Sequence, residues 1–230
     1  MCRKNNKQYV RIVCAAWLGI IFLIVSGKSA IAEDVDALAA KLRHGKPEVR
    51  LSAVEALGRI RNAEALGELI GVTEDQTEDW TIKVRVVKLL GEIGNPRATG
   101  VLIKILDDPS FTNNCAALKW NAAVALGNFR KSTRVVDALI DALEDRTLYV
   151  REAAVQSLGE IGNPDVAPRL ISLLNDKSFA IRISAVRALG EIGAVEAIPH
   201  LKKVLSSDGD GYIKEEAARA LKSLSAKMSQ

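Results

Sequence analysis

The sequence is short of the residues that carry most enzymatic chemistry. It has two histidines and three cysteines in 230 residues. His44 and His200 stand far apart, and no Cys-x-x-Cys, His-Glu-x-x-His, Walker or Gly-x-Ser-x-Gly pattern occurs. Adjacent acids such as Asp107-Asp108 and Glu215-Glu216 read as solvated helix ends, because a general acid–base pair needs carboxyls in distinct environments. His200, directly after Pro199, reads as a surface or packing residue. We expect no catalytic residue, no metal and no cofactor. Alternating β-branched runs long enough for a sheet are also missing, which excludes a β fold.

Excess positive charge is absent too, once its source is located. The formal net charge is +4, but residues 1–32 hold Arg3, Lys4, Lys7, Arg11 and Lys28 and no acid. Without them Lys+Arg falls from 32 to 27 against 28 acids, a net charge near −1. Nucleic-acid binding, which needs a basic stripe, is therefore the least favoured class. The first 32 residues have the three parts of a secretory signal: a basic start, an apolar run from Ile12 to Val25, and an Ala-x-Ala site ending at Ala32 before Glu33. Fourteen apolar residues fall short of the roughly 20 that span a bilayer. We expect cleavage between Ala32 and Glu33 and export to the periplasm or beyond; a membrane role arises only if the leader stays uncut. Cys2 and Cys14 leave with the leader, so Cys115 stands alone, no internal disulfide forms, and burial as a small apolar residue is expected.

What the chain does have is a repeat. Val150-Arg151-Glu152-Ala153-Ala154-Val155-Gln156-Ser157-Leu158-Gly159-Glu160-Ile161-Gly162 recurs in copies centred on Gly58, Gly91, Gly127, Gly159 and Gly190, with a degenerate sixth carrying Lys222. The spacings are 33, 36, 32, 31 and 32 residues. A period of that size marks a stacked array of supersecondary units. An aliphatic–basic pair precedes each copy's glycine column: Val49-Arg50, Ile82-Lys83, Leu118-Lys119, Val150-Arg151, Ile181-Arg182 and Ile213-Lys214.

Helical spacing predicts two helices per unit. Asp34 is expected to cap a first short helix, Val35 to Arg43. The shorter helices then cover Ala63–Val72, Pro96–Leu106, Thr133–Leu143, Pro164–Leu174 and Val195–Leu205. The motif helices cover Glu48–Ile60, Trp80–Ile93, Ala117–Phe129, Tyr149–Ile161, Ala180–Ile192 and Tyr212–Leu224. Gly94, Gly162 and Gly193 are placed as left-handed C-terminal caps, and Asn95-Pro96 and Asn163-Pro164 as N-terminal caps. The stripe Val150, Ala154, Val155, Ser157, Leu158 and Ile161 faces inward, as do Val49, Ala53, Val54, Ala56, Leu57 and Ile60 in the first copy and Ile181, Ala185, Val186, Ala188, Leu189 and Ile192 in the fifth. Glycine inside a helix costs about 1 kcal/mol relative to alanine. Its recurrence implies that a β-carbon there would strike the next helix. Asp145, Asp176 and Asp208, six residues before Arg151, Arg182 and Lys214, read as a ladder tying each turn to the next unit.

These units resemble HEAT repeats of the short phycobilisome-lyase type. The residues that carry the resemblance are Val150-Arg151-Glu152-Ala153-Ala154 and Leu158-Gly159-Glu160-Ile161-Gly162, with Pro164 to Asp176 as the second helix and its acidic end. The resemblance covers residues 34–227. It implies an all-α fold, a right-handed α-solenoid (an α-α superhelix) of about six two-helix repeats over residues 33–230, with motif helices lining a concave side. The His-Glu pairs of HEAT-type di-iron hydroxylases are missing.

Function then falls to a binding surface. Two places after each motif's aliphatic residue stand Leu51, Val84, Trp120, Glu152, Ile183 and Glu215; six places after it stand Glu55, Lys88, Val124, Gln156, Arg187 and Arg219. Apolar residues where a solvated face would be polar suggest an interaction patch, and Trp and Arg dominate interface energetics. We expect Leu51, Val84, Lys88, Trp120, Val124, Gln156, Ile183 and Arg187 to contact a protein or peptide partner, Trp120 as anchor. The other reading of Trp120 is that it covers the Asp107–Ala116 link. The main expectation is a non-catalytic exported scaffold; the alternative, suggested by the resemblance alone, is a bilin lyase or isomerase-like subunit acting on a chromophore-bearing protein.

Overall fold

The computed structural model describes residues 35–109 and 116–228. The expected leader with its Ala32–Glu33 cut, the Asp34 cap and Cys115 lie outside them. The described residues are helices and connecting turns, with no strand. The chain divides into two compact units, the first ending at Glu68 and the second running from Leu69.

In the first unit, α1 (residues 35–44) buries Val35, Ala39 and Leu42 on one stripe. Helix α2 (Pro47–Ile60) starts on a proline whose missing N–H is no loss in a first turn, and it buries Ala53, Val54 and Leu57. The Arg50 guanidinium donates to the Gly45 carbonyl at 2.9 Å, closing the turn between them. Val49, expected inside, is instead 41% exposed. No motif helix precedes α2 among the described residues, so this side of its first turn has no cover. Where later copies end on glycine, Arg61 takes the left-handed conformation at φ 53. The unit boundary falls within α3 (Ala63–Glu74).

In the second unit the motif helices form one continuous layer. They are α4 (Trp80–Ile93), α6 (Ala116–Leu126), α8 (Leu148–Ile161), α10 (Phe179–Ile192) and α12 (Gly211–Met228). Each packs on the next: α4 on α6, α6 on α8, α8 on α10 and α10 on α12. The shorter helices α5 (Thr99–Asp107), α7 (Thr133–Asp141), α9 (Ala167–Ser172) and α11 (Ile198–Ser207) back this layer. Leu90, Leu126, Leu158 and Leu189, one place before the glycine column, and Leu224 in the last motif helix are all fully buried, as are Leu102, Leu139, Leu170 and Leu201 of the second set. Burying such a side chain contributes about 1.5–3 kcal/mol. A pair of these leucines in every repeat accounts for a core that runs the length of the layer.

The shorter helices are more broken than the 3.6-residue pattern predicts. Pro164–Val166 and Val195–Ala197 are 3-10 turns, and the α-helix restarts at Ala167 and Ile198. Pro168 and Pro199 stand second in those helices and lack the N–H for an i→i−4 bond, which favours the tighter form; Pro96–Ala98 takes the same form with Gly100 in that place. The expected caps are present. Asn95 and Asn163 accept the amides of Arg97 and Asp165, each at 3.0 Å, and Gly94, Gly162 and Gly193 adopt positive φ.

The glycine column is where the motif helices touch. A β-carbon on Gly91 would lie 2.7 Å from Ala125 Cβ and 2.9 Å from its Cα; one on Gly159 would lie 2.9 and 3.0 Å from those atoms of Ala188. Gly127 and Gly190 meet Ser157 and Ala220 in the same way. The facing residue always stands two places before the next copy's glycine position, and it is small. Ser157 there is buried, and its hydroxyl donates to the Ala123 carbonyl of the preceding motif helix at 2.9 Å. That carbonyl is available because α6 ends early: the Gly127 amide turns to Val124 O instead of Ala123 O. Lys222, in the degenerate copy, is exposed, and no helix follows α12 among the described residues.

Among the described residues the acidic ladder forms at Asp145 and Asp208 but not at Asp176, whose carboxylate accepts the Ser178 amide of its own turn while Arg151 bonds carbonyls of the Asp145 turn. The Lys119 ammonium lies 2.6 Å from Asp145 Oδ2, and Arg182 Nε lies 3.3 Å from Asp208 Oδ2, each bond running from one motif helix to the turn before the next. The other carboxylate oxygen accepts a backbone amide two residues on, Thr147 for Asp145 and Asp210 for Asp208. The guanidiniums of Arg151 and Arg182 also hold the carbonyls of Asp145 and Asp176 in their own turns.

Stability measurements on single variants test both the glycine contact and the ladder. Gly159→Ala gains about 1 kcal/mol of helix propensity. It loses more to overpacking, about 1–3 kcal/mol, because the atoms it meets include the Ala188 backbone. Gly71→Ala, in open space on α3, keeps only the gain. Urea unfolding should show the first midpoint lowered and the second raised. Burial would raise the Asp145 carboxyl, but the Lys119 and Thr147 hydrogen bonds outweigh it and hold the group below its ordinary 3.8. A carboxyl depressed in the folded state stabilises above its unfolded pKa and loses that contribution as pH falls through the folded value. Below about 3.8 the wild type should therefore lose stability more steeply than Asp145→Asn. Lys119→Met at neutral pH should cost about 3 kcal/mol by stranding the carboxylate.

Candidate functional site

Aromatic side chains after residue 32 number seven: Trp80, Phe111, Trp120, Phe129, Tyr149, Phe179 and Tyr212. Phe129 is buried and Phe111 lies outside the described residues. The other five are 40–67% exposed, and every one stands in the first half of a motif helix. A core would claim such large apolar surfaces first. Their placement on one helix layer is the pattern of an interface.

A pocket of about 440 Å³ opens between α6 and α8. Ala116, Ala117 and Trp120 supply one wall from a single stripe of α6. Tyr149, Glu152, Ala153 and Gln156 supply the other from positions three and four apart on α8. The alanines leave the room, and the two rings flank it. Gln156 reaches Glu160 at 3.4 Å, while Glu152 is half-buried and makes no ion pair or hydrogen bond among the described residues. Lys119 and Arg151, the cations adjacent in sequence to Trp120 and Glu152, point elsewhere, into the ladder and the turn.

The structure therefore brings Trp120 and Gln156 together in one pocket, and Val124 lies one turn along α6, 40% exposed. Lys88 is exposed on α4, Val84 is half-buried and Leu51 is exposed on α2 in the first unit. Ile183 was expected on the binding face, but it is 6% exposed and belongs to the core. Both α6 and α10 are flanked by motif helices on two sides, but the short Ile183 side chain stays within the gap between its neighbours, whereas the longer Trp120 in the same column reaches solvent. Tyr149 and Glu152 complete the pocket, though neither was among the expected contacts. Tyr149 immediately precedes its motif's aliphatic residue, as Tyr212 does, and Glu152 shares a column with Trp120.

Arg187 is not free to choose a partner either. Its guanidinium lies 5.8 Å above the Tyr212 ring, donates to the Tyr212 hydroxyl at 2.7 Å and bonds Glu216 at 3.0 Å. Glu216, expected as a solvated helix end, is 6% exposed, and Arg219 bonds it at 2.8 Å from the other side. The Arg187 hydrogen bond holds the Glu216 carboxyl below its usual value despite burial. Glu191 is shifted the other way, raised by burial and by Glu160. Among the described residues no group of three His, Cys, Asp or Glu side chains is arranged to hold a metal ion, and no described helix is long and apolar enough to cross a membrane.

The family model for HEAT repeats matches residues 35–113, 76–158, 111–179 and 136–222. No protein of curated function matches the sequence. Among solved structures, the complex of CpcE and CpcF of phycocyanin lyase from Nostoc sp. PCC7120 is similar at TM-score 0.60 and 29% identity, over 71% of this chain and 66% of that one. An archaeal HEAT-like repeat protein from Thermococcus onnurineus NA1 is similar at TM-score 0.54 and 13% identity, over 98% of this chain and 99% of that one. A designed armadillo repeat protein is similar at TM-score 0.53 and 21% identity, over 82% and 98%. The last two show an α-solenoid fold and nothing further.

One titration tests the Arg187 cluster. In wild type the Glu216 carboxyl should titrate below the ordinary glutamate value of 4.5, and in Arg187→Ala it should move up. Carboxyl-carbon NMR against pH reads both.

Proposed function

The chain belongs to the HEAT-repeat family, and from that premise we propose that it is an exported, non-catalytic scaffold holding a protein or peptide segment on its motif-helix layer. The observation that carries this reading is the run of exposed aromatics on that layer, with Trp120 and Tyr149 flanking an open pocket. Desolvated aromatic anchors supply most of the binding free energy of typical interfaces. The expected secretory leader supports export, and the absence of any catalytic sequence pattern supports a binding role. The similar CpcE–CpcF structure is itself a complex of two proteins, which fits a protein partner for this chain.

A second reading, a bilin lyase or isomerase-like subunit, is favoured by the 29% identity to a chain of that phycocyanin lyase complex. This chain spans about two thirds of that relative's length, 66%. Co-expression with a bilin and an acceptor protein separates the readings: colour transfer to the acceptor supports the lyase, and its absence supports the scaffold.

In the native host, the scaffold reading predicts a processed chain beginning at Glu33. It also predicts a partner set, captured by crosslinking and mass spectrometry, that Trp120→Ala reduces at least tenfold. Equal capture by wild type and variant would remove the motif-helix face as the binding surface.

A further inference from the structure

The α10–α12 junction shows what its tyrosine and glutamate are suited to hold. There Tyr212, one place before its motif's aliphatic residue, and Glu216 cradle the Arg187 guanidinium, which arrives from the preceding motif helix six places after that helix's aliphatic residue. The α6–α8 junction repeats half of this arrangement. Tyr149 occupies the position of Tyr212, and Glu152 stands one place earlier along its helix than Glu216 does. The position of Arg187, however, is taken by Val124, and the space between the helices is the open pocket.

We infer that the α6–α8 pocket binds the cationic side chain of an arginine or lysine in the partner segment, held between Trp120 and Tyr149 and paired with Glu152. This rests on the motif-helix layer being the binding surface and adds the chemistry of what it binds. Two aromatic faces attract a cation through their quadrupoles, most strongly where water is displaced. The carboxylate supplies direction and a charge-assisted hydrogen bond. Charge decides the sign of the occupant. Among the described residues Glu152 has no cation of its own, Lys119 is held by Asp145 and Arg151 by its turn's carbonyls, and Glu160 beside Gln156 adds a second negative charge. A volume of about 440 Å³ accepts a guanidinium with its stem.

The test titrates acetyl-Gly-Xaa-Gly-amide peptides into the full-length chain, with Xaa as Arg, Lys, Leu or Glu, while following the Trp120 indole NMR resonance. The Arg and Lys peptides should bind saturably, and the Leu and Glu peptides at least about tenfold more weakly. Glu152→Gln should weaken the Arg peptide about tenfold and leave the Leu peptide unchanged. Val124→Arg, which gives the pocket a cation from its own chain as Arg187 does for Tyr212, should abolish Arg-peptide binding. Leu binding as tightly as Arg, or Arg binding indifferent to Glu152→Gln, overturns the cation pocket while leaving the surface itself in place. No response to any peptide also overturns the inference. The scaffold reading is judged separately, by partner capture with Trp120→Ala.

Discussion

The close approach of neighbouring motif helices at the glycine column constrains everything else in the second unit. With about 3 Å between a would-be β-carbon and the next helix, no side chain fits at Gly91 or Gly159, and the residue it faces must be Ala or Ser. This contact brings the leucine one place earlier into a continuous core and lets the Ser157 hydroxyl reach a carbonyl on the previous helix. It also fixes the rotation of each motif helix about its axis. Once rotation is fixed, the stripe opposite the second set of helices faces outward, and the exposed aromatics stand on it.

Charge is arranged around the same spacing. The basic column could have offered a row of cations to a ligand, but Lys119 and Arg182 are drawn into the turns and bonded to aspartates there. Largely enclosed pairs of this kind carry a desolvation cost that their hydrogen bonds must offset. What they do reliably is join one repeat to the next at a defined register. Next to the α6–α8 pocket the cations Lys119 and Arg151 are therefore withdrawn, and among the described residues Glu152 is the one charged group lining it. Arg187 makes the same point on the surface: it bonds Tyr212 and Glu216 of the next motif helix and so joins α10 to α12.

The fold was legible in the sequence to within a few residues. Helix type, the number of repeats, the glycine caps, the asparagine–proline starts and the Asp145 and Asp208 rungs of the acid ladder follow from local chemistry at fixed spacing, which a single chain displays directly. The misread places lie where a residue's environment comes from elsewhere. Val49 matches its column but lacks a helix to cover it, and Ile183 matches an exposed column but is too short to reach out of the gap between its neighbours. Glu216 looked like any acid at a helix start until Arg187 and Arg219 were found around it.

The candidate site divides along the same line. Trp120 and Gln156 could be chosen from columns, because a residue's position on its own helix is periodic. Their meeting with Tyr149 and Glu152 could not, because the gap between α6 and α8 depends on alanines at 116, 117 and 153 facing each other across two helices. Sequence alone determined that this chain stacks helical repeats and which stripe of each helix is apolar, since periodicity and backbone sterics act within a few residues. Tertiary structure decided which of those side chains meet, which cations are already spent on internal partners, and where a cavity is left, since those depend on distances between atoms 25 or more residues apart in sequence.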